Sequence, residues 1–128
     1  MVMEPDAAID ALAHRVIGAA IEVHRELGPG YLECVYEEAL CVELALRQTH
    51  FARQAPFHLL YKGVPVGEGR IDLLVEERLV VELKTVDRLA PIHIAQILSY
   101  LKALRQPLGL LINFKVARAG VRRVVLSP

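Results

Sequence analysis

The chain of 128 residues is 54% apolar and 23% charged, which is long enough for one domain with a real core and too apolar for disorder. No run reaches the roughly 20 apolar residues of a membrane span, and the start lacks the basic-then-apolar order of a signal peptide, so a cytoplasmic protein with no membrane contact is expected. Fifteen Lys and Arg balance fifteen Asp and Glu, which excludes nucleic-acid binding by bulk charge alone.

The balance is uneven along the chain. Residues 1–64 carry 5 basic against 9 acidic groups and residues 65–128 carry 10 against 6, so any nucleic-acid contact should be local. Residues 1–128 are expected to form a single domain, with no linker, repeat or low-complexity segment.

Asp6 is placed to cap a first helix reaching about Leu27, because Ile9, Leu12, Val16, Ala19, Ala20 and Val23 recur at helical spacing. Gly28-Pro29-Gly30 stops it. A second helix is predicted from about Tyr31 to Gln48, with Leu32, Val35, Tyr36, Ala39, Leu40 and Leu44 as its apolar stripe and Glu37, Glu38 and Glu43 on its exposed face. Cys34 and Cys41 fall seven apart on it, about 10 Å and so too far for a disulfide. Both read as buried helix residues.

From Phe51 the period changes. Pro56–Tyr61 reads as a strand, Lys62-Gly63 as a turn and Val64–Val66 as a short return. Gly67 and Gly69 bracket the entry to a further strand through Asp72, where glycine permits a bulge or a close approach. Glu76-Glu77-Arg78 suits a hairpin turn into Leu79–Lys84. Pro91 opens a third helix running to about Arg105, buried through Ile94, Ile97, Leu98, Leu101 and Leu104. Gln96 and Tyr100 share one flank of it. Leu108–Phe114 is an apolar run expected of a buried strand, and Val121–Leu126 a closing one.

The hairpin around Asp72 carries the chemistry. Alternation turns Leu79, Val81 and Leu83 one way and Val80, Glu82 and Lys84 the other, and likewise separates Asp72 from Ile71 and Leu73. If Val75 pairs with Leu79, Asp72 lies across from Glu82 with Cβ atoms about 5 Å apart and Lys84 one step along. A register one residue shorter scatters the cluster. Two carboxylates and a lysine on one face of an apolar hairpin are costly to desolvate, and a divalent cation is the simplest compensation.

These residues resemble a known motif. Gly69-Arg70-Ile71-Asp72, nine residues, then Glu82-Leu83-Lys84 resembles the core of the PD-(D/E)XK nuclease superfamily, with Ile71 where a proline commonly stands. The element order resembles its α/β, restriction-endonuclease-like fold, a mixed central sheet flanked by helices. Gln96-x-x-x-Tyr100 resembles an added motif of its recombination-type exonuclease branch. More narrowly, Gly30-x-x-Glu33-x-x-Tyr36, preceded by Val23-His24-Arg25-Glu26-Leu27-Gly28-Pro29, resembles the GxxExxY family, from about residue 8 onward.

The resemblance implies a nuclease in which Asp72 and Glu82 bind Mg²⁺ or Mn²⁺, joined by the Leu83 carbonyl. Lys84 positions or helps deprotonate the attacking water. Glu33 serves a second metal or orients water, and His24 stands as a further ligand. Gln96 and Tyr100 hold substrate or Lys84. The implied partner is nucleic acid, DNA before RNA.

Bland readings stand beside these. Glu33 also suits a first-turn acid, and His24 also suits a helix C-terminus. Arg118, Arg122 and Arg123 either touch phosphate or guard a strand edge. A non-catalytic module that binds nucleic acid or protein is the alternative function, and a homodimer would hide some of the apolar surface.

Overall fold

The computed structural model describes residues 5–126. Helix α1 spans Ala7–Leu27. Asp6 caps it, accepting the Ile9 N–H at 2.8 Å, and also holds Arg78 at 2.9 Å, which ties the helix start to the later hairpin turn. Gly28, at φ 69°, returns its N–H to the His24 carbonyl at 2.7 Å and ends the helix. All six apolar positions predicted for its inner stripe are buried.

Helix α2 covers Glu33–Leu46. Here the predicted stripe is rotated. Tyr36, Leu40 and Leu44 are buried, but Leu32 is 74% exposed and Val35 is exposed too. Glu37 and Cys41 turn inward, and Cys34, expected to be buried, faces solvent. Glu37 was expected on the exposed face. It is tolerated inside because Arg53 donates to it at 2.8 Å and Gln54 at 2.7 Å, and a buried charge needs such partners.

Strands β1 (Phe51–Tyr61), β2 (Val64–Val75) and β3 (Leu79–Lys84) follow, then helix α3 (Pro91–Leu104) and strands β4 (Leu108–Asn113) and β5 (Gly120–Val125). The two segments predicted as a short return and a separate Asp72 strand are one continuous β2. Its glycines do not break it. A Cβ on Gly69 would lie 2.3 Å from the Phe57 ring on the facing residue of β1, so the glycine makes room for that ring.

The sheet runs β1-β2-β3-β4-β5, antiparallel except for the parallel β3–β4 pair, which α3 bridges. One face packs Leu73, Val75, Leu79, Val81, Leu83, Leu110 and Ile112 against α1 and α2. The other packs Ile71, Val80, Leu111 and Phe57 under Ile97 and Leu101 of α3. Leu73 and Ile71 thus serve opposite faces, against the strict alternation expected of them. The switch falls at Asp72, opposite Gln54, whose φ of 51° is left-handed and locally bends β1.

Candidate active site

The geometry of the site begins with a turn. Glu76 and Glu77 carry φ of 52° and 61°, and the Arg78 N–H closes onto the Val75 carbonyl at 3.0 Å. These left-handed φ values match the twist of a tight hairpin. The turn sets Val75 against Leu79, Leu74 against Val80 and Leu73 against Val81, the register expected from the sequence.

At the next position side chains take over from the ladder. The Asp72 N–H donates to Glu82 Oε1 at 2.9 Å, and the Leu83 N–H donates to Asp72 Oδ2 at 2.7 Å. Each carboxylate is anchored on the other's strand, and the Asp72 charge acts on Glu82. Gln54 Nε2 reaches Asp72 Oδ1 at 3.4 Å while holding Glu37. Lys84 follows, half-buried. The chain leaving β3 is fixed by the buried Asn113, which accepts from the Val86 N–H at 3.1 Å and donates to the Val86 carbonyl at 2.8 Å.

The electrostatics are those of an under-compensated anionic cluster. Burial, then the Asp72 charge, pushes the Glu82 carboxyl up to about 8, and Glu82 is only 6% exposed. Burial also raises Asp72, with Glu37 adding to it. Lys84 opposes the rise in both and in Glu33. Glu33 lies on the exposed first turn of α2, yet partial burial of its carboxyl and the Asp72 charge raise it. It belongs to the same electrostatic cluster.

Two features place Glu33. Gly30 takes a φ of 114° that a side chain would resist. Tyr36, a helical turn after Glu33, is buried and stacked on Phe114 with ring centroids 4.6 Å apart. Its hydroxyl donates to the Gly28 carbonyl at 2.6 Å and accepts the Tyr31 N–H at 3.2 Å, pinning the loop that feeds α2.

On the α3 side, burial raises the Tyr100 hydroxyl, as do the charges of Glu82 and Asp72, while Gln96 beside it opposes the shift. The Tyr100 ring meets Phe57 edge-on at 5.1 Å. Tyr100 thus senses the charge of the carboxylates and has Gln96 as its neighbour on α3. His24 is held elsewhere: its Nε2 sits 2.8 Å from the Val116 carbonyl and its ring stacks with Phe114. Among the described residues no hydrogen bond links it to Asp72 or Glu82.

The donor set suits a hard divalent cation. Asp6, Asp10, Glu22, Glu37, Glu38, Glu43 and Asp87 each pair with a base. Asp72, Glu82 and Glu33 make no ion pair among the described residues, although their carboxyls are the ones pushed up by burial. Two of them converge; among the described residues no group of three or more His, Cys, Asp or Glu does. Five surface grooves are lined by other residues, so the carboxylate pair itself is not at the floor of any of these.

A family model of the PD-(D/E)XK nuclease superfamily matches residues 10–124. The chain belongs to this superfamily. The α/β fold with its five-stranded mixed sheet agrees. The crystal structure of SSO0001 superposes with a TM-score of 0.58 at 20% identity over 73% of this chain, a likeness of fold. The chain spans 50% of that protein's length. No curated protein matches the sequence.

Within this PD-(D/E)XK domain, sequence reasoning missed Gln54, Glu37 and Asn113. Asn113 carried one signal, as the single polar side chain in the apolar run Leu108–Phe114. Gln54 carried none, since its reach to Asp72 depends on a bend that only pairing reveals. Replacing Gln54 with Leu should free Asp72 to rotate and, by taking one of the two donors from buried Glu37, lower stability as well. Outer-shell partners of a metal typically contribute about 10- to 100-fold to affinity or activity, so Mn²⁺ affinity by calorimetry should fall by that factor. An unchanged affinity would show that Asp72 is held by Leu83 alone.

Proposed function

We propose that the protein is a divalent-metal-dependent nuclease, a single-domain member of the GxxExxY group acting on nucleic acid in the cytoplasm, DNA before RNA. One observation carries the reading: the buried Glu82 and the half-buried Asp72 are each held on the other's strand across a hairpin, make no ion pair among the described residues, and have Lys84 one step along.

Asp72, Glu82 and the Leu83 carbonyl would hold Mg²⁺ or Mn²⁺, with Glu33 serving a second ion or orienting water. His24 is the weakest ligand candidate, because its Nε2 is engaged by Val116. The bound ion supplies positive charge at the scissile phosphate and lowers the pKa of a bound water. Lys84 orients the attacking water and offsets phosphate charge. Gln96 and Tyr100 hold the substrate strand against the sheet. Attack is direct, with no covalent enzyme intermediate.

Labelled single- and double-stranded DNA and RNA, incubated with Mg²⁺, Mn²⁺ or chelator, test this. Cleavage is expected only with metal. Lys84→Ala should lower the rate by about 100- to 10,000-fold, the usual span for a proton-handling group, while leaving Mn²⁺ affinity within a few fold. Cleavage that persists at full rate in Lys84→Ala excludes the assigned chemistry. The sparse ligand set favours one other reading, a module that binds nucleic acid or a protein without cutting it. Absence of both cleavage and metal binding would select that reading.

A further inference from the structure

An anionic centre cannot by itself hold a polyanion. Asp72, Glu82 and Glu33 cluster around a single lysine, Lys84, and a phosphodiester strand approaching them needs positive charge close by.

The surface contiguous with Tyr100 carries such charge. A groove of about 420 Å³ lies between the C-terminal half of α3 and β1, lined by His58, Leu59, Leu60, Ser99, Lys102, Ala103 and Arg105. It begins where the Tyr100–Phe57 contact ends, since His58, Leu59 and Leu60 directly follow Phe57 on β1. Lys102 and Arg105 are exposed and make no ion pair among the described residues. No Asp or Glu lines the groove. The nearest acid to a lining side chain is Glu68, 3.7 Å from the His58 ring, and both are exposed. Gln96, Ser99 and Ala103 fall three and four apart, so one face of α3 runs from the proposed active site into the groove.

The distances match a polymer. Lys102 lies six residues beyond Gln96, about 9 Å along the helix axis. That separation puts the groove within a few nucleotides of the proposed scissile bond.

We infer that the groove between α3 and β1 is a backbone-binding track for the nucleic-acid strand, with Lys102 and Arg105 as its phosphate contacts and Ser99 as a hydrogen-bonding partner. The inference deepens the nuclease reading and rests on it for what lies at the track's end. The occupant is one strand of nucleic acid, chosen by charge complementarity and by continuity with Gln96 and Tyr100.

The test is the double variant Lys102→Gln, Arg105→Asn. Asn is chosen because Arg105 ends α3 at φ 54°, a conformation Asn accepts. Fluorescence anisotropy with a labelled 20-nucleotide single strand, Ca²⁺ in place of Mg²⁺, is read between about 50 and 200 mM salt. Two lost phosphate contacts should weaken binding about tenfold at the lower salt and reduce the slope of log K against log salt by about 1.4, with the thermal midpoint unchanged. Affinity and slope equal to those of the native protein overturn the track, as does a native protein that does not bind the strand at the lower salt. The nuclease reading is judged separately. A native protein that binds but never cuts, with binding lost in the variant, keeps the track and removes the nuclease. Cutting of long strands at native rate by the variant keeps the nuclease and removes the track.

Discussion

Asp72→Asn is expected to abolish metal-dependent cleavage, with a loss of about a thousandfold or more, while leaving the fold as stable as before or more so. The amide oxygen of Asn can still accept the Leu83 N–H, which Asp72 Oδ2 now takes at 2.7 Å. The charge, however, is gone. A metal ligand that stabilises transition-state charge contributes several kcal/mol, and about 4 kcal/mol corresponds to that thousandfold. Removing the carboxylate also removes one of the two main causes that hold the Glu82 carboxyl up, so the metal-free protein sheds a repulsion. Mn²⁺ calorimetry and chelator-phase melting read the two effects separately. Cleavage within tenfold of the native rate would remove Asp72 from the chemistry, and a large fall in the chelator-phase midpoint would make it a structural residue.

Stability in chelator should fall as pH rises from about 5 to about 8, and saturating Mg²⁺ should reverse the trend. The Glu82 carboxyl is raised from its ordinary 4.5 to about 8. Between those values the folded protein binds a proton that the unfolded chain does not, so the contribution is fully present below 4.5 and is lost as pH passes through 8. One such group gives a slope of up to about 1.4 kcal/mol per pH unit. Asp72 and Glu33, also raised, act with the same sign. On the proposed function Mg²⁺ would bind the ionised carboxylates, so its stabilisation should be larger at pH 8 than at pH 6; at a hundred times its dissociation constant it would add about 2.7 kcal/mol. Thermal melts across this range, with and without Mg²⁺ and in Glu82→Gln, carry the measurement. A flat native profile in chelator would mean that these carboxylates are already solvated or paired.

The hairpin was legible in the sequence because its two signals agree. Glu76-Glu77-Arg78 marks a turn of fixed length, and only the register that turn dictates brings Asp72 to Glu82. Helix α1 was legible because its apolar positions fall on one face with a cap at Asp6 and a stop at Gly28. Helix α2 was legible as a helix but its inner face was not, since apolar residues occur all around it and the choice of face depends on Arg53, sixteen residues from Glu37. An acid can face inward only if a distant base meets it there, and periodicity carries no such information. Gly69 does mark a close approach, of the Phe57 ring, and what misled was reading the glycines as the entry to a separate strand. The reversal of faces at Asp72 follows from the left-handed φ of Gln54, a residue type that gives no hint of it.

The two carboxylates lie ten residues apart on one short hairpin, and this shapes how the protein folds. Contacts so near in sequence form early, because closing a small loop costs little entropy, whereas the parallel β3–β4 pair must wait for the α3 crossover. The repulsion between Asp72 and Glu82 is therefore met while the chain is still open and wet, where water screens it. Burial under the helices comes afterwards. The expected order of folding therefore assembles the anionic pair while it is hydrated and buries Glu82 afterwards, at which point a proton or a cation offsets its charge.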